Sequence, residues 1–147
     1  MFMKDWDEML LADWLKADNE MAVLSTYILA YASKIKKTWN HNQHPHLCAA
    51  MVGTYGMVRN SGASIVGNII TPQLTSLWGA GLSFSKCHAE KRVVLDPKAL
   101  WIFDGEEFMK AARLWTAGYD MYSPSVFAIY HDYAPVPHKF VYELNNI

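Results

Sequence analysis

The chain has little charge, few cysteines and no apolar run long enough to span a bilayer, and each shortage closes off a class of function. Thirteen Lys and Arg stand against 14 Asp and Glu, a net charge of −1, which leaves no broad electrostatic footprint for a nucleic acid. Two cysteines, Cys48 and Cys87, in 147 residues are too few for a disulfide framework and point to a reducing, cytoplasmic setting. The longest apolar stretch, residues 22–32, is broken by Ser25 and Thr26 and falls short of the ~20 residues of a membrane helix. Asp5, Asp7, Glu8 and Asp13 crowd the first fifteen residues, the wrong composition for a signal peptide. Repeats and low-complexity tracts are absent too, and the length suits one ordinary domain, not two.

Apolar side chains are plentiful at 52%, with six Trp and eight Tyr. Aromatics in that number build a core, and they also line sugar- and base-stacking surfaces, so the count leaves both open. Trp6, Met9, Leu10 and Trp14 recur at helical spacing and predict an amphipathic helix over residues 5–16. Residues 22–31, rich in Val, Ile, Tyr and Thr, predict a buried strand whose end can turn helical. Residues 39–46, WNHNQHPH, read as a polar loop. A second strand region covers 47–58, interrupted by Gly53 and Gly56, with turn material at 60–62. Residues 77–85, LWGAGLSFS, suggest a strand whose central Gly79-Ala80-Gly81 marks a bulge or a close approach to the backbone. A short helix at 85–90, a turn at 96–97 and a last strand at 126–130 follow. Short strands and helices alternate, which gives an α/β or α+β class.

The densest chemistry lies in residues 101–120, WIFDGEEFMKAARLWTAGYD. Asp104 can serve as an N-cap, with Glu107 three residues on completing a capping-box arrangement. Phe108, Ala111, Ala112 and Trp115 form one apolar face. Gly118 supplies the stop, and Pro124 prevents an early restart. Glu106 and Glu107 are neighbours, about 100° apart around a helix, so one can cap while the other projects into a cleft.

Other candidates are weaker. His41, His44 and His46 sit in the polar loop with Pro45 and no nearby carboxylate or Cys to complete a tetrahedral metal set, so they read as solvated. Cys87 beside His88 reads as a small buried hydrophobe. Residues 54–61 lack the glycine spacing and lysine of a phosphate loop. Gly79, Gly81 and His131 say little singly. Their order does more: a glycine-interrupted strand, an acidic helix start and a strand-end histidine can line one cleft that handles a metal and a polyol.

The runs WGAGLSFSKCHAE (78–90), DPKALWIFDGEEFMKAARLWTAGYDMYSP (96–124) and VFAIYH (126–131) resemble the glycosyltransferases that add α-linked GlcNAc to hydroxyproline. The best-known members of that family modify the adaptor subunit of SCF-type ubiquitin ligases. The resemblance spans nearly the whole chain, including MFMKDWDEML and DNEMAVLSTYI. A more distant similarity is to the mucin-type polypeptide GalNAc transferases, whose Gly-Gly-Glu-Asn helix start carries an Arg and a Trp at the spacing of Arg113 and Trp115.

The resemblance implies a GT-A fold, UDP-GlcNAc as donor, a protein acceptor, a divalent metal (usually Mn2+) and retention of configuration. By matched position Glu106 becomes the catalytic candidate, contacting donor-sugar hydroxyls. Gly79, Ala80 and Gly81 would let the sugar lie against the backbone, and His131 would be a late metal ligand. Asp104, Glu107, Arg113 and Trp115 would support the site, with Arg113 two turns below Glu106 where an ion pair could stiffen it. In the family pattern an Asp-x-Asp or Asp-x-His motif lies just before the segment matched by residues 1–7. The expectation is therefore a single partial domain over residues 1–147, the C-terminal, acceptor-side part of a GT-A fold, with a mixed sheet, flanking helices and the nucleotide-binding half missing. A catalytically inactive remnant that binds a glycan or a protein is the alternative.

Overall fold

A computed structural model describes residues 1–36, 40, 42–53, 56–98, 103 and 105–133. Among them the central feature is a four-stranded mixed sheet. Its strands are β1 (Ala22–Thr26), β7 (Gln73–Thr75), β8 (Leu82–Ser85) and β9 (Asp120–Ser123), in the order β7-β9-β1-β8. β1 runs parallel to β9, with Val23 opposite Met121, and antiparallel to β8, with Leu24 opposite Phe84. All five β1 residues are buried, as expected of a strand covered on both faces.

Alternation along β1 and β9 divides the core. Ala22 and Leu24 point to one face, where they meet Leu10 and Trp14 of α1 (Trp6–Lys16). Trp14 Nε1 also donates to the Ala22 carbonyl at 2.8 Å. Val23 and Met121 point to the other face, against Ala89 of α3 (Cys87–Arg92) and Ala111 and Leu114 of α4 (Glu106–Thr116). Two-residue periodicity in the strands thus places one apolar layer on each side, and the class is α/β with helices flanking a mixed sheet. No helix among the described residues is long and apolar enough to cross a membrane.

Smaller pairings surround this frame. β2 (Leu29–Ala30) runs parallel to β10 (Tyr130–His131) and leads into α2 (Tyr31–Lys36). β3 (Gln43–His46) pairs with β6 (Ser64–Gly67), and β4 (Ala50–Val52) with β5 (Val58–Asn60), both antiparallel. The polar loop expected at 39–46 is corrected over its second half, because β6 supplies a partner that no local pattern announces. His44 is 3% exposed and stacks on Phe127 at 4.4 Å. His46 shares a 3.0 Å hydrogen bond with Ser123 Oγ, and burial pulls its imidazole below the ordinary value. Neither is solvated, and His41 lies outside the described residues.

The strand expected at 77–85 is confined to β8, with residues 77–81 irregular, and the expected last strand shrinks to Tyr130–His131. Cys87 is exposed as the first residue of α3, not buried. The buried stripe of α4 is Lys110, Ala111 and Leu114; Ala112 and Trp115, expected on the apolar face, are exposed. Lys110 takes the inner position because its ammonium bonds the Val93 carbonyl and Glu90 and lies 6.0 Å from the centre of the Trp78 ring, so the buried charge is paired. The α4 stop occurs as expected. Gly118, at φ 87°, follows a Schellman closure in which Tyr119 N–H reaches the Leu114 carbonyl and Gly118 N–H the Trp115 carbonyl, each at 3.0 Å.

Candidate functional site

Because α4 turns at Gly118 and feeds β9, its first turn lies beside the carboxyl end of β9 and of the parallel β1. Crevices outside the carboxyl ends of strands are where open α/β sheets bind ligands. A cavity of about 330 Å³ is found there, within the roughly 300–1,000 Å³ of small-ligand sites. Tyr27 follows β1 into its wall, Asn60 ends β5, Ala80 precedes β8, and Gly105, Glu106 and Glu107 begin α4.

Gly105 makes this junction possible. It sits at φ 92°, a left-handed conformation that glycine adopts without penalty, and a Cβ there would stand 2.9 Å from Met57 Cε and 3.3 Å from the Val58 carbonyl. The helix therefore starts at Glu106 with Gly105 in the N-cap position and no side chain capping it. The capping-box role expected of Glu107 is corrected, and Asp104, the expected N-cap, lies outside the described residues.

Glu107 is bonded across the chain instead. One carboxylate oxygen accepts the Ala80 N–H at 2.8 Å; the other accepts the Tyr27 hydroxyl and Asn60 Nδ2, the latter at 3.2 Å. Asn60, 5% exposed, also donates to the Trp78 carbonyl at 2.9 Å. Burial, and then the hydrogen bond donated to Glu107, push the Tyr27 phenol up to about 12.

Glu106 differs from its neighbour. It is half-buried on the cavity wall, and no hydrogen bond or ion pair to another described residue engages its carboxylate. Burial first, and the adjacent Glu107 charge second, raise it above the ordinary carboxylate value. Two neighbouring acids thus have separate environments: one is locked into the wall, the other is open to a ligand.

The glycines of residues 79–81 are explained mainly by protein contacts. A Cβ on Gly79 would lie 2.8 Å from Leu47 Cδ1 and 3.0 Å from Tyr27 Cδ1, and one on Gly81 would lie 3.2 Å from the Thr26 carbonyl. The expected close approach exists, but Leu47 after β3 and the continuation of β1 make it; of the three residues only Ala80 lines the cavity.

Arg113 and Trp115, expected to support the site, are not among the residues that line the cavity. Seven residues from Glu106 correspond to ~10 Å along the helix, and Arg113 forms no ion pair among the described residues. Trp115 is 63% exposed. His131 is exposed at the end of β10, its ring 4.3 Å from that of Tyr133, which belongs to the cavity wall. No group of three or more His, Cys, Asp or Glu among the described residues is arranged to hold a metal ion, so His131 stands as a lone candidate ligand.

Sequence reasoning missed Tyr27, Arg59, Asn60, Phe103 and Tyr133, which complete the wall. Tyr27 did carry a faint signal, being a polar-tipped residue just after the buried strand β1. Arg59 places a cation in the wall of the same cavity.

A family model described as Glycosyltransferase (GlcNAc) matches residues 1–145. The chain belongs to the GlcNAc glycosyltransferase family. Searches of curated proteins and of solved structures return no match. Membership in this family makes a sugar donor and an acceptor the general partners of the chain, and the site at the start of α4 is where its geometry can be read in those terms.

Proposed function

We propose that this glycosyltransferase chain is the acceptor-side part of a GT-A domain that moves GlcNAc from UDP-GlcNAc to a protein hydroxyl of the hydroxyproline kind, with retention. The observation that carries the reading is the Glu106 carboxylate, held in the wall of a sugar-sized cavity without a hydrogen-bond or ion-pair partner among the described residues. Sugar hydroxyls are donors that such a carboxylate can accept, and a charge-assisted bond of this kind is both stronger and more directional than a neutral one. Ala80 and Tyr27 flank it, offering a narrow main-chain approach and an aromatic surface.

Glu106 orients the donor sugar in this reading and is not a covalent nucleophile; attack comes from the front face, assisted by the donor's own phosphate. A divalent metal, Mn2+ by resemblance, enters the proposal only as a partner of His131. The described residues do not complete a coordination set, and no step is derived through the metal.

The test is transfer of GlcNAc from UDP-GlcNAc to a hydroxyproline-containing peptide, followed by mass spectrometry with Mn2+ present. Glu106→Gln should lower the rate by about 10²-fold or more, the scale on which single aligned polar groups act in transfer reactions. His131→Ala should lower transfer and raise the Mn2+ concentration needed for what remains. Wild-type turnover in both variants would overturn the assignment. Binding of UDP-GlcNAc with no transfer by the wild-type chain would instead favour the inactive remnant.

A further inference from the structure

The carboxylate of Glu107 joins three segments that are far apart in the chain. Ala80 belongs to the loop before β8, Tyr27 follows β1, and Asn60 closes β5; each donates to Glu107. A carboxylate offers about four acceptor positions, and three are occupied. The loop at 79–81 is held from two sides as a result. Gly79 N–H donates to Ser25 Oγ of β1 at 2.8 Å, and the next amide, Ala80 N–H, donates to Glu107 of α4. Tyr27 is fixed at both ends as well, its ring against Gly79 and its hydroxyl on Glu107.

We propose that Glu107 is a positioning residue of the site: it ties Ala80, Tyr27 and Asn60 into one wall and so sets the place at which a ligand meets Glu106, without touching the reacting atoms itself. The proposal rests on the sugar-transfer reading above for the identity of the ligand and on the hydrogen bonds alone for the brace. Removing the Glu107 side chain leaves Ala80 N–H and the Tyr27 hydroxyl without their acceptor and frees the loop between β1 and α4. Glutamine keeps one carbonyl oxygen for Ala80 or Tyr27, but its amide group opposes the Asn60 donor, so it restores only part of the brace.

The experiment compares the wild-type chain with Glu107→Ala, Glu107→Gln and Glu106→Gln. It reads hydrogen exchange at the Ala80 amide, ionisation of Tyr27 by NMR, and calorimetric binding of UDP-GlcNAc. Glu107→Ala should speed Ala80 exchange at least about tenfold, move Tyr27 down from about 12 and weaken UDP-GlcNAc about tenfold with Glu106 intact. Glu107→Gln should recover part of each change. Glu106→Gln should abolish binding while Ala80 and Tyr27 stay at their wild-type values. Unchanged Ala80 exchange in both Glu107 variants would overturn the brace, and unchanged UDP-GlcNAc affinity in them would overturn its positioning role. If the wild-type chain fails to bind UDP-GlcNAc while Ala80 and Tyr27 still respond to Glu107, the sugar-transfer reading falls and the brace stands. Should Glu107→Ala not fold, Glu107→Gln carries the same comparison.

Discussion

At its first turn α4 presents Glu106 and Glu107 to a cavity, where Glu107 bonds residues from three other segments. Later along the same helix Ala111 and Leu114 lie in the apolar layer against Val23 and Met121, Lys110 bonds the Val93 carbonyl with its ammonium near Trp78, and Arg113 and Trp115 do not line the cavity. The backbone chemistry differs in the same way. The far end closes on itself through Gly118, whereas the near end carries no side-chain cap and its acids turn outward. A single helix of eleven residues thus serves as core material at one end and as site wall at the other. The feature that separates the two roles is what each turn faces, the apolar layer of the sheet at one end and the cavity at the other.

That contrast can be broken most severely at the core end. Leu114 is fully buried, so Leu114→Ala should destabilise the chain by about 2–5 kcal/mol in urea unfolding. Its exposed neighbour gives the control, with Trp115→Ala shifting stability by no more than about 0.5 kcal/mol. Equal losses in the two would mean that the inner and outer faces of α4 have been assigned wrongly.

Lys110→Met probes the boundary between the ends. Met keeps an apolar stem of similar length but leaves the Val93 carbonyl without its donor, a loss of about 1–3 kcal/mol. The ion pair with Glu90 adds little to this, since Glu90 is 56% exposed. A Lys110→Met chain as stable as wild type would show that the carbonyl is satisfied by other means.

The smallest effect belongs to the site end and depends on pH. Folding raises Glu106 above its ordinary value of 4.5, so the folded state favours the protonated acid. The stability this gives is complete below the ordinary value and disappears as pH rises through the folded value. Relative to wild type, Glu106→Gln should therefore gain stability above that window and lose its advantage below it. Denaturation curves between about pH 4 and pH 7 check the sign. In a Glu107→Gln background the gain should shrink, because the neighbouring charge is the second cause of the shift.

How much of this could be read from the chain depends on how local each feature is. α1 announces itself within a few residues through periodicity, and the closure of α4 through Gly118. β9 does not, because four residues, DMYS, become a central strand only when β1 and β7 lie beside them. The same holds for β3, whose polar sequence QHPH pairs with distant β6 and buries His44. In the site, Glu106 and Ala80 were reached through the family resemblance, and both line the cavity. Arg59, Phe103 and Tyr133 were invisible, since each is an ordinary residue until the fold brings it to the same opening.

The sequence by itself determined that this is a balanced-charge member of the GlcNAc glycosyltransferase family with short helices and strands in alternation, because composition, helical periodicity and a long motif are properties of neighbours in the chain. Only the tertiary structure decided which of two adjacent glutamates is free. The local pattern assigns Glu107 to a helix cap, but the donors of Ala80, Tyr27 and Asn60 arrive from 27, 80 and 47 residues away. Those bonds turn Glu107 across the chain and leave Glu106 facing the cavity.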